Sequence, residues 1–251
     1  MQYAVCVVPV GHMRMSPDHR QEMVNQLLFG ESVIVKAVDN LGWLEVESSS
    51  DGYKGFCRLN QFVLLNEPLV STSEYTGDWV ESIRLNGQKL MIPFGSDLSV
   101  LNHATPGLRV EYNGNIYKAK SAIVDESRLR AVSAMFLNTA YLWGGKSVFG
   151  IDCSGFVQSV FKMFDIALPR DANMQVEKGD ELGFVQEARC GDLAFFDDEQ
   201  GNIIHVGMML NAHEIIHSSG NVRIDPIDHQ GIVNSTTGKR THKLRIIKRV
   251  L

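Results

Sequence analysis

Cysteine is scarce in this chain, with four among 251 residues at positions 6, 57, 153 and 190. No two of them form a C-x-x-C pair, so neither the dense disulfide framework of a small secreted scaffold nor a paired zinc knuckle is expected. Positive charge is in deficit too: 24 Lys and Arg against 29 Asp and Glu leave a net charge of -5. Affinity for nucleic acid or anionic membranes needs a basic face, and neither is an expected partner. Long apolar runs are missing, and none approaches the ~20 residues of a membrane span. The opening Met1-Gln2-Tyr3-Ala4-Val5-Cys6 has no basic segment ahead of an apolar one, so no secretory leader is visible. Scattered thiols without a leader lead to a cytoplasmic setting as the expectation. A periplasmic or secreted setting is the alternative if a leader has been trimmed away.

The sequence itself divides into three parts. From 33 to about 63, short apolar stretches such as Val33-Ile34-Val35 and Gly42-Trp43-Leu44-Glu45-Val46 are broken by Gly and Asp every eight to twelve residues. That rhythm predicts a small β-barrel, and the hairpin at 51–56 is similar to that of bacterial SH3 domains, a resemblance that implies Trp43 and Phe56 as core aromatics. A fainter copy follows. Phe94-Gly95-Ser96-Asp97-Leu98 echoes Phe29-Gly30-Glu31-Ser32-Val33, and Asn113-Gly114 echoes Asp51-Gly52, which predicts a second barrel at 68–122 with 66–78 as the linker. Near Asp125 the period changes. Leu129, Val132, Met135 and Phe136 mark an amphipathic helix with Asp125 or Ser127 as N-cap. A second apolar helix pattern starts at Cys153, and strands are predicted at 192–197, 203–210 and 214–218. Helices first and an antiparallel sheet after them make 123–251 an α+β domain, behind barrels at 1–67 and 68–122.

Cys153 stands where the helix pattern begins, after a glycine-flanked turn. Unpaired N–H groups and the positive dipole end favour thiolate over thiol there, which makes the sulfur a candidate nucleophile. A small buried cysteine packing the helix is the competing reading. A nucleophilic thiol needs a base that titrates near neutrality. His205 and His217 lie in adjacent predicted strands. A hairpin turn centred on Asn211 would set them directly opposite each other on one face, one as base and the other fixing its orientation. Cys153, Cys190, His205 and His217 form the one metal alternative, but no two have the close spacing of zinc motifs, and no metal or cofactor is expected. Cys6, Cys57 and Cys190 are read as structural. The remaining histidines, His242 among them, are read as surface.

Taken together, Tyr141-Leu142-Trp143-Gly144-Gly145, Asp152-Cys153-Ser154-Gly155, Leu168-Pro169-Arg170, Gly191-Asp192-Leu193, His205-Val206-Gly207 and Ile216-His217-Ser218-Ser219-Gly220 resemble the NlpC-type cell-wall cysteine peptidases over about 123–251. The resemblance implies a papain-like fold. Cys153 would be the nucleophile, His205 the general base and acid and His217 the third polar residue. Tyr141 and the Cys153 backbone N–H would hold the oxyanion. The hairpin at 51–56 resembles bacterial SH3 domains. With two such barrels ahead of it, the chain resembles the γ-D-glutamyl-L-diamino acid endopeptidases of murein-peptide recycling.

That resemblance implies a murein peptide substrate, L-Ala-γ-D-Glu-diamino acid, with a free amino terminus, acted on by a monomer. A buried ammonium must meet carboxylates, and Asp152 is the candidate, with a turn-forming or capping Asp as its other reading. Ser154 could hold peptide backbone or cap the helix, and Trp143 could wall the site or belong to the core. From the first barrel, Glu31 and Tyr53 are substrate-binding candidates that could equally be plain surface. Two rival readings remain, a secreted hydrolase of intact peptidoglycan stem peptides and a non-catalytic wall-peptide-binding module.

Overall fold

The computed structural model describes residues 2–103, 105–121 and 124–251. The expected boundary between 122 and 123, like the start at residue 1, lies outside the described residues. The chain divides into two compact units. One comprises Met1–Ala122, Trp143–Phe149 and Lys162–Ala167, and the other Ile123–Leu142, Gly150–Phe161 and Leu168–Leu251. Among the described residues no helix is long and apolar enough to cross a membrane.

In the first unit, strands Gln2–Cys6, Val10–Arg14, Met23–Leu28, Ser32–Val38, Trp43–Ser48, Lys54–Arg58 and Phe62–Leu65 form one antiparallel sheet. Its alternation buries Ala4, Cys6, Met13, Leu27, Leu44 and Cys57 in a common core. Trp43 is buried as expected, but Phe56 is only half-buried. Successive strand residues face opposite ways, and here Gly55 and Cys57 take the inner face. A Cβ on Gly55 would come within 2.5 Å of Met13 Cγ, so the glycine is what lets Met13 close the core.

Within 68–122, the stretch predicted as a second barrel, the strands are short. Val80–Leu85, Gln88–Pro93 and Val110–Glu111 form a three-stranded sheet, and Glu74–Thr76 pairs with Ile116–Lys118. The two echoed turns meet each other: Gly30 (φ +82°) and Gly95 (φ +76°) both adopt the left-handed conformation that glycine alone enters freely, and Asp97 N–H donates to Phe29 O at 2.8 Å. Phe29, Ile83, Ile92 and Val100 then share one core with Val5.

The second unit opens with α1 (Glu126–Ala134), capped by the Asp125 carboxylate, which accepts from Arg128 N–H at 2.8 Å. Next come α2 (Cys153–Lys162), whose last residue belongs to the first unit, and the short α3 (Ala172–Gln175). The predicted order of helices and then antiparallel sheet is observed, but the sheet dominates. Seven strands lie in the spatial order Asp180–Leu182, Arg240–Arg249, Leu193–Asp197, Ile203–Asn211, Glu214–Ser219, Asn221–Asp228, Gly231–Val233. The last pairs back onto Arg240–Arg249, so six strands close on themselves around Ala194, Phe196, Met209, Ile215, Ile227, Ile232 and Ile247. All four cysteines are free.

Candidate active site

The start of α2 is built by Asp152. Its Oδ1 accepts from Gly155 N–H at 2.7 Å and its carbonyl accepts from Phe156 N–H at 2.9 Å, the pattern of an N-cap that satisfies the helix's orphan donors. The same carboxylate is gripped by Arg170, with Nη1 to Oδ1 at 3.0 Å and Nη2 to Oδ2 at 2.6 Å. Ser154 Oγ accepts from Arg170 Nη1 at 2.9 Å and donates to Asp152 Oδ1 at 3.3 Å. The capping reading of Asp152 is therefore realised, the charge facing it is an internal guanidinium, and Ser154 Oγ bonds to both members of that pair. Arg170 is among the largest fully buried side chains. A bidentate pair can justify burying both charges only with such geometry.

This cap presents Cys153, itself buried, at the first turn. The thiolate expectation needs correction. Burial pushes the Cys153 thiol up to about 11 and the Asp152 charge adds to it, while backbone hydrogen bonds from Val206 and Ser154 and the Arg170 charge pull it back only in part. The helix terminus favours the anion, but desolvation by burial outweighs it.

The two strand histidines meet, though not in the predicted register. His217 lies directly opposite Gly207 rather than His205, because Asn211 pairs with Glu214 and the turn falls at 212–213, beyond the expected centre; the bulge between Met209 and Asn211 takes back one residue of that offset. His205 is its diagonal neighbour on the same face, within reach of a long ring. Gly207 makes this possible: a Cβ there would stand 2.8 Å from His217 Cβ, so the vacant position lets the His205 ring lean across. His205 Nε2 lies 2.9 Å from His217 Nδ1, with the rings edge to face at 5.1 Å. Both are buried, and burial with the neighbouring His217 and His242 pushes His205 well below the ordinary histidine range. It is thus a neutral ring able to take up a proton.

Two partners of this pair were not foreseen. His217 Nε2 lies 3.0 Å from the buried Asp225 Oδ2, and His242, read from sequence as a surface residue, stacks on His205 at 4.2 Å with the ring planes 23° apart. Sheet closure brings His242 here, since its strand pairs on one side with Leu193–Asp197 and on the other with Gly231–Val233. Burial pushes His242 down to about 4. One ligand atom from each of the three histidines falls within 4.8 Å of the others.

Tyr141 belongs to the same unit. Its N–H donates to Gly220 O at 2.9 Å, and it forms a parallel bridge with Ile151, whose carbonyl accepts from Ser218 Oγ. Burial, then the Cys153 and Asp152 charges, push its phenol up to about 12, which keeps a hydroxyl donor beside the thiol.

The other three expected contacts lie in the first unit. Trp143 is exposed and its Nε1 donates to Glu22 at 2.5 Å. Tyr53 is half-buried against the first core. Glu31 is not a plain surface residue but a buried, ion-paired one: Oε1 lies 2.6 Å from Lys162 Nζ, and Oε2 lies 3.2 Å from Lys146 Nζ and accepts from Leu28 N–H.

The profile of a family described as the NlpC/P60 family matches residues 138–241, and that of a bacterial dipeptidyl-peptidase Sh3 domain matches residues 13–62. A gamma-D-glutamyl-L-lysine dipeptidyl-peptidase of Bacillus subtilis is 30% identical over 222 residues, which cover 77% of this chain and 71% of that protein. Its namesake from Bacillus cereus is 27% identical over 254 residues, covering 88% and 75%. The crystal structure of a Bacillus cereus NlpC/P60 family protein superposes with a TM-score of 0.81 at 20% identity over 99% of both chains, which is a likeness of fold.

Proposed function

This chain belongs to the NlpC/P60 family of cysteine peptidases, and on that premise we propose that it hydrolyses the bond between γ-D-Glu and the diamino acid of murein peptides whose L-Ala amino terminus is free. The observation that carries the chemistry is the buried thiol at the start of α2 together with a neutral His205 steadied by His217 at 2.9 Å. The similarity to two gamma-D-glutamyl-L-lysine dipeptidyl-peptidases supports the bond, and the matched Sh3 domain supports the class of substrate. In this reading 68–122 is a second SH3-like module, and the protein acts in the cytoplasm on peptides recovered from the wall.

His205 takes the Cys153 proton as the sulfur attacks the γ-carbonyl carbon, and the pair returns that proton to the departing amine. The developing oxyanion meets the Cys153 N–H at the open helix end and the Tyr141 hydroxyl. Water deprotonated by His205 then hydrolyses the thioester. The test is mass spectrometry of products from synthetic L-Ala-γ-D-Glu-diamino acid peptides with free and acetylated amino termini. Cleavage of the free peptide alone is expected, with none by Cys153→Ala. Equal cleavage of both peptides would end the free-terminus reading, and turnover by Cys153→Ala would end the thiol reading.

A further inference from the structure

The described chain of polar contacts does not stop at the second histidine. Asp225, 1% exposed, accepts at Oδ1 from Ser235 N–H at 2.8 Å and from Arg223 Nη2 at 3.0 Å. Its Oδ2 lies 3.0 Å from His217 Nε2 and 2.8 Å from Arg223 Nε. Every group around the carboxylate is therefore a donor or can be one. An ionised carboxylate has only lone pairs to offer, so His217 must carry its proton on Nε2. Its Nδ1 is then a bare acceptor. The ring nitrogen 2.9 Å away, His205 Nε2, must in turn carry a proton, and that leaves His205 Nδ1 with the free lone pair.

We propose that Asp225 is a positioning residue: through His217 it dictates which nitrogen of His205 is bare, and so which one can receive the proton of Cys153. The assignment rests on the proposed thiol chemistry and extends it by one residue. The transfer balances within the site. The S–H bond breaks, an Nδ1–H bond forms, the electron pair on sulfur makes the bond to the carbonyl carbon, and the proton leaves later on the amine. The positive charge on His205 is then drawn along two rings toward an anion.

The carboxylate is not replaceable by its amide. The Oδ1 position faces two groups that can only donate, Ser235 N–H and Arg223 Nη2, against one at Oδ2, Arg223 Nε, so the oxygen of an asparagine would settle at Oδ1. Its NH2 would turn toward His217 Nε2 and force that nitrogen to accept. Both rings would then exchange tautomers, and His205 Nδ1 would already hold a proton when the thiol needs it empty.

Nitrogen NMR of the full chain labelled at histidine reads the tautomers without any substrate. The wild-type protein should show Nε2–H on both His205 and His217, and Asp225→Asn should show both reversed. On the γ-D-Glu peptide, Asp225→Asn should lose kcat on the order of 100-fold, as wrong-tautomer variants of triads lose large factors, with KM little changed. A wild-type spectrum with the His217 proton on Nδ1 would overturn the proposal even if the variant failed to fold. So would an Asp225→Asn chain that kept the wild-type tautomers. If no muropeptide is cleaved by the wild-type chain, the substrate reading fails while the tautomer measurement still decides the role of Asp225.

Discussion

A thiol at the first turn of a buried helix is pulled in two directions, and Cys153 shows which pull is larger. Backbone donors and Arg170 favour the anion, but burial and the adjacent Asp152 hold the thiol at about 11. His205 is held well below its ordinary value by burial and its neighbouring rings, so at rest the thiol and the imidazole are both neutral. The sign follows directly: thiolate grows as pH rises toward 11, and no imidazolium forms near 6.5 to stabilise it earlier. Alkylation of Cys153 by iodoacetamide in the free protein should accelerate by roughly tenfold per pH unit from 7 to 10. A rate that is already level between pH 5 and 8 would mean that a thiolate–imidazolium pair exists before substrate arrives.

At the scale of elements, the start of α2 depends on a residue eighteen positions downstream. Arg170 neutralises the cap that orders the helix, and removing it leaves Asp152 buried without a counter-charge. Arg170→Met should cost about 3–5 kcal/mol in urea denaturation, and Arg170→Lys should recover only part because one ammonium cannot span both oxygens. A midpoint unchanged in Arg170→Met would show that the cap stands without its cation. The cap, α1 and the two histidine strands were all legible in the sequence, because glycine turns, Asp125 and the apolar period are local signals.

What was not legible depended on the far side of the sheet. The pairing of the histidines was foreseen but their register was not, since Asn211 proved to be the last paired residue before the turn and not its centre. In the strand Asn221–Asp228, Val222 and Ile224 lie on one face while Asp225 shares the other with the core residue Ile227, so its hydropathy marks both faces as apolar and does not single out Asp225. His242 could be placed only once the sheet was known to close. Arg170 lies in the Leu168-Pro169-Arg170 motif, yet nothing in its neighbourhood announced that it would be buried against Asp152.

Across the whole molecule, the chain passes between its two units several times, and Glu31 marks where two returning segments are fixed within the first. Lys146 lies in 143–149 and Lys162 in 162–167, and both reach the same carboxylate. Burial alone would raise Glu31, but the two ammonium groups hold it down at about 2. A depressed carboxyl contributes stability above its unfolded value near 4.3 that is lost as pH falls toward 2. Glu31→Gln should therefore be less stable than wild type by about 3 kcal/mol at pH 7, and the gap should narrow between pH 4 and 2. Urea midpoints at pH 7 and pH 3 measure both, and a gap that stays constant would refute this origin of the stability.

The closed sheet of the second unit has one more effect. With six of its strands joined in a ring, the described residues of that unit leave as an outer flank only the three residues Asp180–Leu182, two of them acidic and exposed. Fibrils and exchanged-strand dimers grow from long, flat, uncharged rims on which a foreign chain can lay itself down. This rim is too short and too negative to serve as such a template, so the sheet of the second unit is protected from templated self-assembly.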